Sequence, residues 1–340
     1  ACHYFDVKKV LTPVDEETFK ADVGAVREAI TPNTIMIVGS AIQYAHGVID
    51  PIESLGELAQ KHDLLFHVDA CMGGFLLPYF RRLGAQVPAF DFSVPGVTSM
   101  SMDHHKYAFT AKGASTILYR SKALRKYQIY ACATWTGYTI VNPTVQSTKT
   151  GGPLAAAWAV MNYIGDAGYL GLAEQMLDAT KRIASAVQEI DGLRLLGWPE
   201  MNQLAFTSDE LDVFQIIDEM KELGWYIQPQ LGFRMSKENI HLSINPASVK
   251  WIDPFLKDLR ACVEGARAAG VKATNPMLAA LSTLDASQMS PEVYTQMLAM
   301  AGIDGPKLPE KMAEINALLN ALPPKLNEQL LSSFVNDLFV

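Results

Sequence analysis

Two short runs of residues carry side chains able to do chemistry together. One is His67-Val68-Asp69-Ala70 and the other is Ser101-Met102-Asp103-His104-His105-Lys106. A lysine amine, a carboxylate and a few hydroxyl or imidazole donors are what a protein must supply to pyridoxal 5′-phosphate (PLP). The lysine forms a Schiff base, the carboxylate keeps the pyridine nitrogen protonated so that the ring accepts electrons, and the donors hold the phosphate. Lys106 can supply the amine, Asp69 the carboxylate, and His105 and Ser40 the phosphate donors. The same side chains also read as metal ligands, since His67-x-Asp69 and Asp103-His104-His105 are ligand types of a metal-dependent phosphoesterase. That alternative gives Lys106 and the glycines no role.

These residues need elements that bring them together. Thr34 to Val38, Leu64 to Val68, Gly96 to Met102 and Ala114 to Tyr119 read as short apolar strands. Pro51 to His62 reads as a helix with proline in its favoured first turn, and Asp15 to Ala29 as an amphipathic helix. Tyr4 to Val10 reads as a further strand. Alternating short strands and helices predict a mainly parallel sheet with helices on its faces. Ser40, Asp69 and Asp103 then fall just past the C-terminal ends of strands, the edge where open α/β sheets bind ligands. The excursion from Asp69 to Lys106 is long enough for both to reach that edge.

From Gly151 the pattern changes. Leu154 to Ile190 reads as a long helix interrupted near Gly165 to Gly168. Short strands follow at Leu193 to Leu196, Leu204 to Thr207, Trp225 to Gln228 and Ile240 to Ile244, with helices at Val213 to Leu223 and Lys250 to Ala268. The expected organisation is a large α/β domain over residues 1–150, a smaller α+β domain over 151–270 and a helical extension over 271–340. Apolar residues from Met277 to Met300 recur at helical spacing, as packing between helices requires, and a channel for a lipid tail is the alternative use.

Composition bounds the function. Hydrophobic residues make up 49% of the 340 and charged residues 19%, enough for a sizeable core. The net charge of −8 argues against a nucleic-acid or anionic-membrane partner. Four widely spaced cysteines form neither a disulfide framework nor a C-x-x-C site, which points to a cytoplasmic, reduced protein. No apolar run is long enough to cross a membrane. The chain starts Ala-Cys-His without an initiator methionine, so a longer natural polypeptide is expected.

The run from His67 to Phe75, the run from Gly96 to Tyr107 and the run from Val38 to Asp50 together resemble the sphingosine-1-phosphate lyases, within the group II PLP decarboxylases. The resemblance continues through Lys112-Gly113-Ala114-Ser115 and Gly151-Gly152, and more loosely to about residue 265. Beyond that we place no resemblance. It implies a PLP-dependent transferase-like, fold-type-I large domain. It implies Lys106 as the Schiff-base lysine, Asp69 as the partner of the pyridine nitrogen, and His105 and Ser40 as phosphate contacts. Tyr44 matches a tyrosine that reaches into the neighbouring subunit's site, His46 is a further substrate-site candidate beside it, and Lys112 matches a contact to the substrate phosphate. Gly151 and Gly152 match a glycine pair near the cofactor phosphate across a homodimer with shared active sites. The implied reaction breaks the C2–C3 bond of a phosphorylated sphingoid base, with Tyr44 or Lys106 as base, giving a long-chain aldehyde and phosphoethanolamine.

Three departures bear on substrate. Ile140 stands where the family usually has tyrosine, with Tyr138 two residues earlier, and Lys149-Thr150 stands in place of Arg-Pro. The histidine that stacks on the ring and the loop that holds its phosphate are expected upstream of Ala1. An amino-acid decarboxylase is therefore a second reading, and Arg234 would be its carboxylate fork. An inactive fragment or scaffold is a third.

Overall fold

The computed structural model describes residues 2–146, 148–270 and 310–337. The chain divides into two compact units. The first comprises Ala1–Lys181, Gly197–Gln203 and Ile244–Pro246, and the second Arg182–Leu196, Leu204–Ser243 and Ala247–Val340.

The first unit is built on four short strands, β1 (Met36–Ser40), β2 (Leu65–Asp69), β3 (Ser99–Asp103) and β4 (Ser115–Tyr119), in that spatial order. β1, β2 and β3 run parallel and β4 closes the edge antiparallel. The mainly parallel α/β sheet expected from the sequence is therefore present. Each functional polar residue is the last residue of its strand rather than the first beyond it. Register sets Ser40 beside Asp69 and Asp69 beside Ser101.

Helix α1 (Val23–Ala29) is half the length expected. The Asp15 carboxylate accepts from the Thr18 backbone N–H at 2.7 Å and from that of Glu17 at 3.2 Å, closing a turn instead of a helix. Phe19 then takes a positive φ of 59°, and Asp22 caps the shorter helix by accepting from the N–H of Ala25. Helix α2 (Ile52–Lys61) follows the prediction, burying Ile52, Leu55, Leu58 and Ala59 along one face. The strand expected over Tyr4 to Val10 is a turn and irregular chain. No strand among the described residues offers this segment a ladder, the N–H of Val7 bonds back to Cys2, and Tyr4 and Phe5 are exposed.

Helix α3 (Gly73–Arg82), not anticipated, starts on the Gly73-Gly74 pair. A Cβ on Gly73 would lie 2.5 Å from the carbonyl oxygen of Ala41, so the helix approaches the end of β1 as closely as only glycine permits. After the four-residue helix α4 (His104–Tyr107) and β4 come the short helix α5 (Lys122–Arg125) and the hairpin of β5 (Tyr130–Cys132) and β6 (Ile140–Asn142). Helix α6 (Gly152–Glu189) is kinked at Gly165, where φ is 65°, within the interruption expected there.

The second unit holds β7 (Arg194–Leu195), β8 (Gln203–Thr207), β9 (Gln228–Gln230) and β10 (Asn239–Ser243), ordered β7-β8-β10-β9, with α7 (Val213–Glu222) and α8 (Ile252–Ala269). The strand expected at Trp225 starts later because the N–H of Trp225 bonds to the carbonyl of Met220 and ends α7. Two further helices, α9 (Ala313–Ala321) and α10 (Pro324–Asp337), follow. The carboxylate of Asp218 on α7 accepts from the N–H groups of Met312 and Ala313, holding the start of α9. The expectation for Met277 to Met300 lies outside the described residues.

Candidate active site

The site grows from the C-terminal edge of the first sheet. β2 ends on Asp69, the chain turns through Ala70 and Cys71, and α3 carries it away. β3 ends on Asp103, and α4 lifts His105 and Lys106 above the edge. The two ends are tied, since the N–H of Asp103 donates to the carbonyl of Cys71 at 3.3 Å.

Asp69 accepts from the backbone N–H of Cys71 at 3.1 Å and from the hydroxyl of Ser101 at 3.1 Å. Burial alone would raise this carboxyl, but the donors, helped by His67, hold it below the ordinary carboxylate value. Lys106 places its Nζ 3.0 Å from Asp103 Oδ2. Burial alone would lower its ammonium, and the surrounding Cys71 and Asp103 outweigh that and hold it above the usual lysine value. The two groups paired from the sequence stand far apart along the chain, with strand, helix and loop between them, and they lie at the ends of the neighbouring strands β2 and β3.

The remaining expected residues fall in different places. Ser40 ends β1 beside Asp69, and its backbone N–H donates to the buried carboxylate of Asp50 at 2.8 Å, which pins the strand end. His105 turns Nδ1 to the carbonyl of Ala114 at 2.9 Å, with Nε2 3.7 Å from Asp103. Tyr44 lies in the turn after β1 with its side chain exposed. His46 is buried, stacked on Phe19 at 4.3 Å and bonded to Gln43, an environment of packing. Lys112 is exposed on the loop between α4 and β4. Gly151 and Gly152 open α6, where a Cβ on Gly151 would meet nothing within 4 Å and one on Gly152 only the Thr150 hydroxyl at 3.6 Å. Tyr138 is exposed and Ile140 lies in β6. Arg234 belongs to the second unit and lies over the ring of Phe233 at 5.4 Å.

Sequence reasoning gave no part in the cofactor site to three residues that shape it. The backbone of Cys71 bonds both Asp69 and Asp103, and Asp103 lies 3.0 Å from Lys106 and 3.7 Å from His105. Tyr169 on α6 donates its hydroxyl to the carbonyl of Ala108 at 2.8 Å and packs on Phe75 and Phe109, bracing α4 from below. Burial pushes its phenol up to about 12, so it stays a donor. Asp103 at a strand end and Cys71 two residues after the carboxylate carry a signal in the sequence, and Tyr169 carries none. Among the described residues no group of three His, Cys, Asp or Glu side chains is placed to hold a metal. His67 is instead bonded to Ser99 and His104 to Thr116.

The family model of the pyridoxal-dependent decarboxylase conserved domain matches residues 1–207. The chain belongs to the pyridoxal-dependent decarboxylase family. Family members that it resembles include the sphingosine-1-phosphate lyase of Arabidopsis thaliana, 46% identical over 272 residues that make up 79% of this chain and 48% of that protein. The sphingosine-1-phosphate lyase of Dictyostelium discoideum is 36% identical, over 78% of this chain and 49% of that protein. The chain thus spans about half the length of the curated relatives it matches. Among solved structures, a sphingosine-1-phosphate lyase of Burkholderia pseudomallei superposes with a TM-score of 0.76 at 35% identity, covering 79% of this chain and 60% of that one. A glutamate decarboxylase of Lactobacillus brevis, at 20% identity and a TM-score of 0.69, shares the fold. A second family model, "Pyridoxal-dependent enzyme, C-terminal putative HTH domain", matches residues 275–337, a stretch in which the sequence alone suggested no resemblance.

The donor set fits the family's cofactor. A carboxylate kept ionised by the Cys71 N–H and the Ser101 hydroxyl suits a protonated pyridine nitrogen, and a lysine amine stands at the end of the neighbouring strand.

Proposed function

We propose that the protein containing this chain is a PLP-dependent carbon–carbon lyase acting on a phosphorylated sphingoid base, and that it works in the cytoplasm as a homodimer. The observation that carries this reading is that neighbouring parallel strands bring Asp69 and the Asp103–Lys106 ion pair to one edge of the sheet. The substrate class is drawn from the lyases that the chain resembles at 34–46% identity.

When bound, PLP supplies an electron sink for the pair left by the breaking bond. Asp69 holds a negative charge opposite the ring nitrogen, which keeps that sink available. Lys106 would supply the attaching amine and, when not bonded to the cofactor, a base for the substrate hydroxyl. His105 and Ser40 present donors to the cofactor phosphate, and Lys112 a cation to the substrate phosphate. Support for a second subunit comes from the surface that Tyr127, Tyr138, Val145, Leu154, Trp158 and Tyr163 leave exposed, far more aromatic than an ordinary solvated face. In this reading Tyr44 and Gly151-Gly152 act on the partner's site.

The test is product analysis with the full-length protein. Phosphorylated sphingoid base should yield a long-chain aldehyde, and the unphosphorylated base little. Carbon dioxide released from an L-amino acid, with no aldehyde from the lipid, would overturn the assignment.

A further inference from the structure

Asp50 is a buried carboxylate to which the reaction assigns no role. It closes the turn that leaves β1 and leads into α2, and that turn carries Ser40 at its start and Tyr44 within it. Both backbone polar groups of Ser40 bond this one residue. The Ser40 N–H donates to Asp50 Oδ2 at 2.8 Å, and the Ser40 carbonyl accepts from the Asp50 N–H at 3.0 Å. The other carboxylate oxygen, Oδ1, accepts from the N–H of Ala21 at 2.9 Å, which ties the strand end to the chain before α1. One residue past Ser40, the N–H of Ala41 donates to the carbonyl of Asp69 at 2.9 Å. The clamp therefore acts on the strand end that adjoins Asp69. The far side of the turn has its own anchor, since Glu200 accepts from the N–H of Ile49 at 2.6 Å and from the Lys20 amine at 2.8 Å.

We propose that Asp50 is a positioning residue for the cofactor phosphate, its carboxylate fixing the backbone of Ser40 so that the Ser40 hydroxyl meets that phosphate. This rests on the reading that Ser40 contacts the phosphate of PLP. The bonds to Asp50 use only main-chain groups of Ser40, which leaves the hydroxyl for a ligand. A carboxylate suits the task because two N–H donors reach it from different segments, and each of its oxygens accepts one. An amide has one oxygen, and its NH2 group would face the second N–H. Keeping an ionised group in this place has a cost. Burial pushes the Asp50 carboxyl up, the N–H groups of Ala21 and Ser40 and the charge of Lys20 oppose that, and Glu200 adds to the rise. A residue that presents a group to a ligand needs such support from behind, because a loosely held donor loses part of its contact.

The experiment uses the full-length protein stripped of cofactor, titrated with PLP and separately with pyridoxal, which lacks the phosphate, and followed by visible absorbance. Asp50→Asn should bind PLP about tenfold more weakly, the scale of one hydrogen bond to a charged group, and pyridoxal as the wild type does. Ser40→Ala should show the same pattern. Adding Asp50→Asn to Ser40→Ala should weaken PLP little further, because both act through one hydroxyl. As a second measurement, on the unmutated and cofactor-free protein, the amides of Ser40 and Asp50 should already be protected from hydrogen exchange, and PLP should add little. Unchanged PLP affinity in Asp50→Asn, equal losses for PLP and pyridoxal, additive losses in the double variant, or protection that arises only with PLP would overturn the proposal. Unchanged PLP affinity in Ser40→Ala would instead overturn the reading on which it rests.

Discussion

The edge where β2 and β3 end and the stretch from Tyr127 to Tyr163 belong to the same unit, yet their side chains find partners in different places. At the edge, Asp69, Cys71, Ser101, Asp103 and Lys106 bond one another, and α3 closes on β1 through a glycine with no room for a Cβ. Every residue choice there has a cause within the chain. In the other stretch Tyr127 is 80% exposed, Val145 93% and Tyr163 92%, and Gly151 has open space where a side chain would go. Those choices cost solubility and backbone entropy and return nothing among the described residues. The contrast separates chemistry that the described residues position from a surface that, in the proposed reading, a second copy covers.

Substitution at the edge should break function with the fold intact. Asp69→Asn keeps the shape and removes the charge, and turnover should fall by about 10²–10³-fold, the scale of losing one preorganised electrostatic partner. Steady-state rates alongside circular dichroism check this.

The charges at the edge also set a pH dependence. Asp69 is held below the ordinary carboxylate value, so its contribution is complete above about pH 4 and is lost only as pH falls through that lower value. Lys106 is held above the usual lysine value, so its ion pair is complete below about pH 10 and is lost only as pH rises beyond it. Neither changes stability between about pH 5 and 9. The rate at which the cofactor-free protein attaches PLP should instead rise about tenfold per pH unit over that range, following the fraction of neutral amine. Stopped-flow absorbance measures it, and a flat profile would show that Lys106 is not the attaching amine.

The exposed stretch should respond in the opposite sense. Trp158→Glu with Tyr163→Glu should leave the monomer's melting temperature unchanged while shifting sedimentation from dimer to monomer and lowering turnover with it. Unchanged sedimentation would assign that surface to something other than a second copy. The smallest effects come from the glycines. Gly73→Ala should lower stability by about 1–3 kcal/mol, because the added carbon meets the carbonyl of Ala41. Gly151→Ala should not lower it at all, and should weaken only assembly or cofactor affinity. Melting curves of the two variants side by side put the comparison to the test.

Much of the edge was legible because its physics is local. Short, largely apolar runs ending on Ser40, Asp69 and Asp103 announce parallel strands with polar ends, and all of these strands are present within two or three residues of the expected bounds. What stayed hidden depends on partners distant in sequence. The turn at Asp15 competes with a helix through one carboxylate, and Tyr4 to Val10 has strand composition but, among the described residues, no neighbour to pair with. Tyr169 braces α4 from more than sixty residues away, which no local pattern reveals. His46 shows the reverse, a residue with chemical potential whose surroundings are the ring of Phe19 and the amide of Gln43.

Reduction with borohydride in the presence of PLP, followed by peptide mapping of the full-length protein, tests most directly whether the amine and the carboxylate flank one ring. The label should appear on Lys106, disappear in Lys106→Ala, and form more weakly in Asp69→Asn. A label on any other lysine, or one on Lys106 indifferent to Asp69, would contradict the site described.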